Sequence, residues 1–332
     1  MRLIGSPFVE DGTDGQIEDP ISMYNYAANN RIRLLGVSAI LKKTRNAALE
    51  KKLSELLQRY EKTLGVFTRV SGILDEAGVA YAFFKSVRPY QEATVDLDVI
   101  IFGSDHGLAV SKSVEGDLLL LEEGPLSTTL CDQSVPLNVD LYNEIGVSKF
   151  IYLDKDKLAQ NVTTQEVGEG INVRTLDSKG DLLALITHSM VKEQMYVLSE
   201  YYTTLGFLNR MSNQELSDFV RLAKECSAEY EASIHLNIAA TLHNSAHGFV
   251  PEKLNQLIGK LNPAAKVGSM ISKNLEMPHK YSSSIVIRSL VEKLEEKKAA
   301  RSLLSQARGM LNPRFSSVFL GAILDHFTRE TY

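Results

Sequence analysis

Apolar residues recur with a helical period over two stretches near the start of the chain. The spacing predicts one helix over residues 22–43 and a longer one over residues 47–77, which Gly78 ends in the usual manner of a helix C-terminus. The apolar stripe of the longer helix consists of Leu53, Leu56, Leu57, Tyr60, Leu64, Phe67, Val70, Ile73 and Leu74. Such a stripe is typical of a helix that packs one face against a core.

From residue 79 onward the apolar runs become short and strand-like. The predicted strands cover residues 79–84, 94–102, 116–121, 126–131, 136–142, 162–167 and 171–175. A short helix is predicted over residues 154–160, and Gly168 and Gly170 form the turn of the last hairpin. The mixture of helices and strands indicates an α/β (α+β) domain with a mixed sheet.

Beyond Asp177 the pattern is helical throughout. Asp177 is a suitable N-cap for the first helix, and Asp181 near its start complements the helix dipole. The predicted helices cover residues 178–198, 199–209, 213–228, 229–243, 251–260, 263–275, 283–309 and 315–329. The sequence therefore predicts three parts, which are an N-terminal acidic segment with a helix (1–45), the α/β domain (46–176) and an all-helical C-terminal domain (177–332).

Two predicted strands carry carboxylates among their apolar residues. Asp96 and Asp98 are two apart, so on a strand their side chains point to the same side, about 6.6 Å apart along the chain. Asp140 lies in a second apolar run, 136–142. Because Mg²⁺ prefers oxygen ligands and is often shared between carboxylates and substrate phosphates, these three aspartates are candidate metal ligands.

A solvated strand edge is the alternative interpretation of the aspartate pair. Carboxylates are poor strand formers, so two of them within one apolar strand are unfavourable unless a cation gathers their charge. Lys85 and Arg88 supply cations shortly before the strand, as a phosphate site requires. Both also have a structural interpretation, as a lysine with a buried stem and as a surface arginine.

These motifs resemble the nucleotidyltransferase fold of the DNA-polymerase-β-like superfamily. Members of that superfamily carry a small-residue turn, then a strand with two acidic residues flanking an apolar one, then a third acidic residue on a following strand. The matching positions here are Lys85 and Ser86 for the turn, Asp96 and Asp98 for the pair, and Asp140 for the third acid.

A later helix extends the resemblance. One uncharacterised group of the superfamily begins its helical part with D-L-L-x-L-x-x-H, and residues 181–188 match that pattern. The similarity covers residues 65–205. The chain departs from the group at Ser86, where glycine is preferred because it permits positive φ and close approach to a phosphate.

The resemblance implies transfer of a nucleoside monophosphate from ATP or another nucleoside triphosphate to a hydroxyl group. It implies Mg²⁺ or Mn²⁺ as cofactor, with the three aspartates as metal ligands and catalytic groups. The acceptor stays open between a tRNA, a protein and a small molecule. The residues implied for the nucleotide and its phosphates are Lys85, Ser86, Arg88, His188 and Lys192. For His188 and Lys192, a core-edge histidine and a solvated lysine are the alternative.

Composition narrows the class of protein. The 332 residues carry a formal net charge of −5, which does not favour general binding to nucleic acid. The basic residues between Arg288 and Arg314 alternate with glutamates, which predicts a solvated helix with pairs such as Lys293 with Glu296. The chain has no apolar run of bilayer length and no secretory pattern at its start, so a cytoplasmic protein without a membrane partner is expected.

The sequence gives little support for other kinds of catalytic or metal-binding site. The two cysteines are far apart in sequence and are expected to be buried free thiols. The chain contains no nucleophile elbow, P-loop or dinucleotide fingerprint, and His243 and His247, four apart, lack a third metal ligand. Two alternatives remain, which are a catalytically inactive nucleotidyltransferase-like module that binds nucleotide or a partner, and a helical interaction protein whose α/β half is a scaffold.

Overall fold

A mixed seven-stranded sheet forms the centre of the fold. The computed structural model describes residues 1–9, 17–168, 170–261 and 275–309. Its strands are β1 (Tyr81–Phe83), β2 (Asp96–Ile101), β3 (Leu118–Glu123), β4 (Ser127–Asp132), β5 (Leu137–Tyr142), β6 (Ile145–Val147), β7 (Phe150–Leu153), β8 (Val162–Gly168), β9 (Ile171–Leu176), β10 (Met195–Tyr196) and β11 (His279–Lys280).

The order of strands in the main sheet is β3-β4-β5-β2-β1-β9-β8. The pairs β2–β5 and β1–β9 are parallel, and the other neighbours are antiparallel. The two remaining pairs, β6–β7 and β10–β11, form separate two-stranded sheets. The predicted α+β class with a mixed sheet is therefore confirmed.

Helices surround this sheet and make up most of the rest of the described chain. They are α1 (Pro20–Asn29), α2 (Arg33–Leu41), α3 (Ala47–Glu76), α4 (His106–Glu115), α5 (Lys155–Leu158), α6 (Ser178–Thr187), α7 (Leu198–Arg210), α8 (Asn213–Glu225), α9 (Glu229–His247), α10 (Glu252–Lys260), α11 (Ser283–Lys293) and α12 (Lys297–Gly309). A 3₁₀ turn (Ala159–Asn161) follows α5, and a π-helix (His188–Glu193) follows α6. Among the residues described, none of the helices is both long and apolar enough to traverse a bilayer.

Helix α3 covers one face of the sheet. The Asn46 side chain accepts the Leu49 N–H and so begins the helix, and Gly78 follows its end with a φ of +67°. Its buried apolar residues share one core with alternate residues of β1, β2 and β5. The principal members of this core are Val66, Phe67, Val70, Leu74, Tyr81, Phe83, Leu97, Val99, Ile101, Val139 and Leu141.

The opposite face of the sheet packs on the C-terminal helices. Ala82, Phe84 and Ile100 point to this side and share a second core with residues of α6 to α11. Since Asp96, Asp98 and Asp140 alternate with the residues that pack on α3, they also face this side. The division at residue 177 stays a prediction, although the two parts share an apolar core.

Two predicted helices are wrong as single elements. The stretch 22–43 divides into α1 and α2 at Arg31, whose φ of +57° is not helical, and the buried Asn30 side chain next to it accepts the Leu198 N–H. The stretch 283–309 divides into α11 and α12 around residues 294–296. In addition, the predicted helix 178–198 ends at Thr187 and continues as the π-helix and β10.

Several elements escaped the sequence prediction. Helix α4 and the hairpin β6–β7 carry glycines, serines and short apolar runs that weaken both periodicities. Of the two predicted helices near the C-terminus, 315–329 lies outside the described residues, as does 263–275 apart from its last residue. Both cysteines are free thiols, Cys226 buried and Cys131 half-buried.

Candidate functional site

Three carboxylates meet on the sheet face that the C-terminal helices cover. Asp96 and Asp98 lie on β2 and Asp140 lies on β5, which pairs with β2 in parallel so that Asp98 stands directly opposite Asp140. One oxygen from each of the three side chains lies within 4.8 Å of the other two. Within the described ranges this is the one group of three or more histidine, cysteine, aspartate or glutamate side chains placed to share a metal ion.

The three carboxylates differ in their surroundings. Asp98 is buried, and its backbone N–H donates to the Ser86 hydroxyl at 2.8 Å. Asp140 is half-buried, and it accepts a 2.6 Å hydrogen bond from the Thr129 hydroxyl on the neighbouring strand β4. Asp96 is half-buried at the start of β2. The Asp98 carboxylate is therefore enclosed by protein, whereas Asp96 and Asp140 reach the edge of the site.

Mutual repulsion and burial set the ionisation of the three groups. Burial, and then the charge of Asp98, raise the pKa of Asp96 to about 6. Burial and Asp98 likewise raise the pKa of Asp140, against the Thr129 hydrogen bond. The pKa of Asp98 is lowered, because Lys85 and Lys192 outweigh the effect of its burial. A cation beside Asp96 and Asp140 would relieve the repulsion that raises their pKa values.

The oxygens fit a divalent cation in number and chemistry. Two oxygens bound to one Mg²⁺ at about 2.1 Å can lie at most about 4.2 Å apart, whereas Ca²⁺ tolerates wider spacing. The 4.8 Å limit on the aspartate oxygens is slightly above the Mg²⁺ value, so small side-chain rotations complete the ligation. Asp96, Asp98 and Asp140 are the side chains that would hold the ion.

Lys85 lies against the aspartates in a constrained turn. Its φ is +59°, and its backbone N–H donates to Asp181 Oδ1 at 2.5 Å. Its Nζ lies 3.2 Å from Asp98 Oδ2 and 3.0 Å from His188 Nδ1. Burial lowers the pKa of Lys85, and the charge of Asp98 opposes that shift. The ammonium group is thus paired with a candidate metal ligand.

His188 is held as a neutral ring behind Lys85. Burial, with Lys85 next in effect, lowers the pKa of His188 to about 3. The Tyr152 hydroxyl lies 3.0 Å from its Nδ1, and Glu193 Oε1 lies 3.4 Å from its Nε2. A neutral ring protonated at Nε2 satisfies both neighbours, because Nδ1 then accepts and Nε2–H points to Glu193. Arg31 pairs with the same glutamate at 3.0 Å.

Lys192 lies on the π-helix, beside the Tyr142 ring. Its Nζ donates to the Tyr142 hydroxyl at 3.1 Å, and that hydroxyl helps to lower the pKa of Asp98 after the effects of Lys85, Lys192 and His188. Lys192 and Lys85 both lie 5.7 Å from the centre of the Tyr142 ring. The structure therefore places Lys85, His188 and Lys192 around Asp98, while their predicted contact with a nucleotide stays a prediction.

The two other predicted phosphate residues are engaged elsewhere. The Ser86 hydroxyl donates to the Phe84 carbonyl and accepts the Asp98 N–H, so it joins the turn to β2. Arg88 donates to the Thr203 hydroxyl on α7. Ser86 and Arg88 also line a pocket of about 180 Å³ between α3, β8 and the loop 86–94, which none of the three aspartates lines.

Sequence reasoning missed the partners that hold the site together. The sequence places Asp181 near a helix start and in the 181–188 pattern, but its contact with the turn was missed: its carboxylate accepts the Lys85 N–H, and burial raises its pKa to about 7. Tyr142, Tyr152 and Glu193 were not singled out at all. The spacing of Asp181 and His188 carried a signal, since residues seven apart lie on one helix face.

Three of the basic residues between Arg288 and Arg314 pair with carboxylates, and Arg288 lies 3.2 Å from Glu292. Lys293 is buried, 3.7 Å from Glu231, and Lys298 pairs with Glu144 at 2.9 Å and Asp154 at 2.8 Å. The predicted pairing of Lys293 with Glu296 is wrong, because the helix breaks between them. Arg314 lies outside the described residues.

His243 and His247 do not gather further ligands within the described residues. The two ring nitrogens of His243 contact the Ser6 hydroxyl at 3.0 Å and the Phe249 carbonyl at 2.9 Å. Both nitrogens are therefore occupied by protein partners. The rings of His243 and His247 lie against each other, with centres 4.7 Å apart. The contact between the two rings is therefore a packing contact within α9.

Two comparisons with known proteins identify no family or similar sequence for this chain. A scan against models of protein families finds no match, and a search of curated proteins finds no similar sequence. The described site nevertheless has a definite chemistry, with three carboxylates, two amines and a neutral imidazole on one sheet face. Its function is therefore inferred from these contacts.

Proposed function

We propose that this protein is a Mg²⁺-dependent nucleotidyltransferase that moves a nucleoside monophosphate from a nucleoside triphosphate to a hydroxyl acceptor. The observation that carries the proposal is the convergence of Asp96, Asp98 and Asp140 on two parallel neighbouring strands, with oxygens within 4.8 Å of one another. The sequence resemblance to the DNA-polymerase-β-like superfamily depends on the same three residues.

The charges around the aspartates support this chemistry. Asp96, Asp98 and Asp140 would hold the divalent ion, which, when bound, stabilises charge on the attacking and leaving oxygens of a phosphoryl group. Lys192 places its ammonium beside the aspartates and can attract the phosphates of an incoming triphosphate. Asp140 has a raised pKa, which suits a group that takes the proton of the acceptor hydroxyl.

The charge of the chain narrows the choice among the possible acceptor molecules. The chain carries a net charge of −5, and Arg288, Lys293 and Lys298 of its C-terminal helices are paired with carboxylates. Binding to RNA depends mainly on lysine and arginine contacts to phosphates. A hydroxyl of a protein or of a small molecule is therefore favoured over the end of a tRNA.

The test is release of pyrophosphate from each of the four nucleoside triphosphates with Mg²⁺ or Mn²⁺, across a panel of acceptors. We expect turnover with at least one combination, and a loss of at least about 10²-fold in Asp98→Asn and Asp140→Asn, since a bound metal ion supplies several kcal/mol of charge stabilisation. Glu123→Gln is the matched control, because it removes an exposed carboxylate from edge strand β3 of the same sheet. Equal activity of all three variants would contradict the assignment.

A catalytically inactive nucleotide-binding module is the second candidate. The observation that favours it is the engagement of Ser86, whose hydroxyl is used within the turn, together with the pairing of Lys85 to Asp98. That module would bind a triphosphate and Mg²⁺ without releasing pyrophosphate. Binding measured by calorimetry, without turnover on any acceptor, would favour this candidate over the enzyme.

A further inference from the structure

We infer that the ammonium group of Lys85 takes the place of one cation at the three aspartates, so that the site binds a single divalent ion. The inference rests on the proposed metal site and specifies how it is built. It departs from an arrangement in which two divalent ions about 3.5–4 Å apart share the carboxylates. Lys85 then neutralises part of the charge of Asp98, and the phosphates of a bound nucleotide contact other cationic groups.

The geometry places Lys85 where a metal ion would otherwise contact Asp98. Its Nζ lies 3.2 Å from Asp98 Oδ2, and the two side chains are only 6% and 9% exposed. A charge-assisted contact of this kind occupies one of the two carboxylate oxygens. Asp98 can still share its remaining lone pairs with Asp96 and Asp140, which is enough for one ion.

Lys85 is fixed from both ends and cannot easily leave this position. Asp181 accepts its backbone N–H at 2.5 Å, within a turn of positive φ that few residues other than glycine adopt. At the other end, His188 Nδ1 lies 3.0 Å from Nζ, and Tyr152 and Glu193 hold that ring. A lysine that only steered phosphates would need no such anchoring.

The balance of charge also favours one ion. Three carboxylates against the two ammonium groups of Lys85 and Lys192 leave one net negative charge at the site. One divalent cation reverses that charge and prepares the site for a triphosphate. A second divalent cation would have to enter beside Lys85 against its repulsion, in surroundings where burial strengthens electrostatic interactions.

The experiment counts Mn²⁺ ions bound to the full chain, without nucleotide and near neutral pH, from the EPR signal of free Mn²⁺. We expect one ion per chain in the unaltered protein and two in Lys85→Met, which keeps an unbranched side chain one atom shorter and removes the charge. Lys85→Arg keeps the charge and should bind one. Lys155→Met is the matched control, because Lys155 is also buried but donates to the Ile101 and Gly103 carbonyls, away from the aspartates.

Each outcome decides the inference. Two ions in the unaltered protein, seen also as spin coupling between neighbouring Mn²⁺ ions, would overturn it and leave the proposed function standing. One ion in both the unaltered protein and folded Lys85→Met would overturn it as well. If Lys85→Met does not fold, a single uncoupled ion in the unaltered protein supports it. Absence of any bound Mn²⁺ would remove the metal site and with it the proposed function.

Discussion

Lys85 shows what can and cannot be predicted about a single residue. Its position shortly before two strand aspartates indicated a cation near their carboxylates, and its Nζ is 3.2 Å from Asp98. Its turn conformation, however, depends on Asp181, 96 residues later, and its side chain depends on His188, 103 residues later. No local pattern contains such partners, because they meet only when α6 packs on the sheet.

The Ser86 hydroxyl offers a test at the same scale. It is buried, donates to the Phe84 carbonyl at 3.1 Å and accepts the Asp98 N–H at 2.8 Å. We expect Ser86→Ala to lower the free energy of unfolding by about 1–3 kcal/mol, because the buried Asp98 N–H loses its acceptor. Urea unfolding monitored by circular dichroism measures the change.

A second buried serine supplies the control. Ser113 on α4 is fully buried, and among the described residues its hydroxyl has no hydrogen-bond partner. Ser113→Ala should leave the stability unchanged or raise it, since it removes an unpaired polar group. If Ser86→Ala left stability intact while weakening triphosphate binding, Ser86 would serve the phosphates, as the sequence first suggested, and the turn would not need its hydroxyl.

Elements with strong periodicity could be predicted, and elements that end for non-local reasons could not. The apolar stripe of α3 and the alternating apolar residues of β2 and β5 predicted these three elements. The alternation also indicated the side of the sheet on which the aspartates lie. The end of α6 at Thr187 was missed, because the π-helix that follows keeps helical composition and differs only in its hydrogen bonds. That π-helix carries His188 and Lys192 to the aspartates.

The start of α7 makes a prediction about pH. The Glu200 carboxylate accepts the Val197 N–H, and burial raises its pKa to about 7. Between its unfolded pKa near 4.5 and pH 7 the folded state holds the extra proton, so raising the pH through this window destabilises the protein. Glu200→Gln removes this titration and should gain about 3 kcal/mol of stability over the unaltered protein across the window.

A neighbouring helix provides the matched comparison. Glu215 holds the corresponding position at the start of α8, where its carboxylate accepts the Ser212 N–H at 2.7 Å in an exposed setting. Glu215→Gln makes the same exchange at this exposed cap, and denaturant titrations at pH 5 and pH 8 measure both variants side by side. A difference for Glu200→Gln that does not grow with pH would show that Glu200 is ionised in the folded protein.

At the scale of the whole molecule, the site lies between the sheet and the helices that cover it. Asp96, Asp98 and Asp140 come from the sheet, whereas His188 and Lys192 come from the segment after residue 177. An ion pair also connects the two parts of the chain, because Lys298 of α12 pairs with Asp154 beside β7. The sequence indicated the α/β part and the helical part, but it did not indicate the interface between them. The apolar pattern of one part does not show which of its faces the other part covers.

This interface leads to a prediction about cooperativity. Phe84, Ile100 and Tyr142 on the covered face are at most 2% exposed. Burying each contributes about 1.5–3 kcal/mol, so uncovering them costs a sum comparable to the 5–15 kcal/mol that stabilises a typical domain. We therefore expect the full chain to unfold in one calorimetric transition, and a fragment of residues 1–176 to lack a cooperative transition until residues 177–332 are added. A fragment 1–176 that melts cooperatively by itself would instead establish the boundary at residue 177 as a division between independent domains.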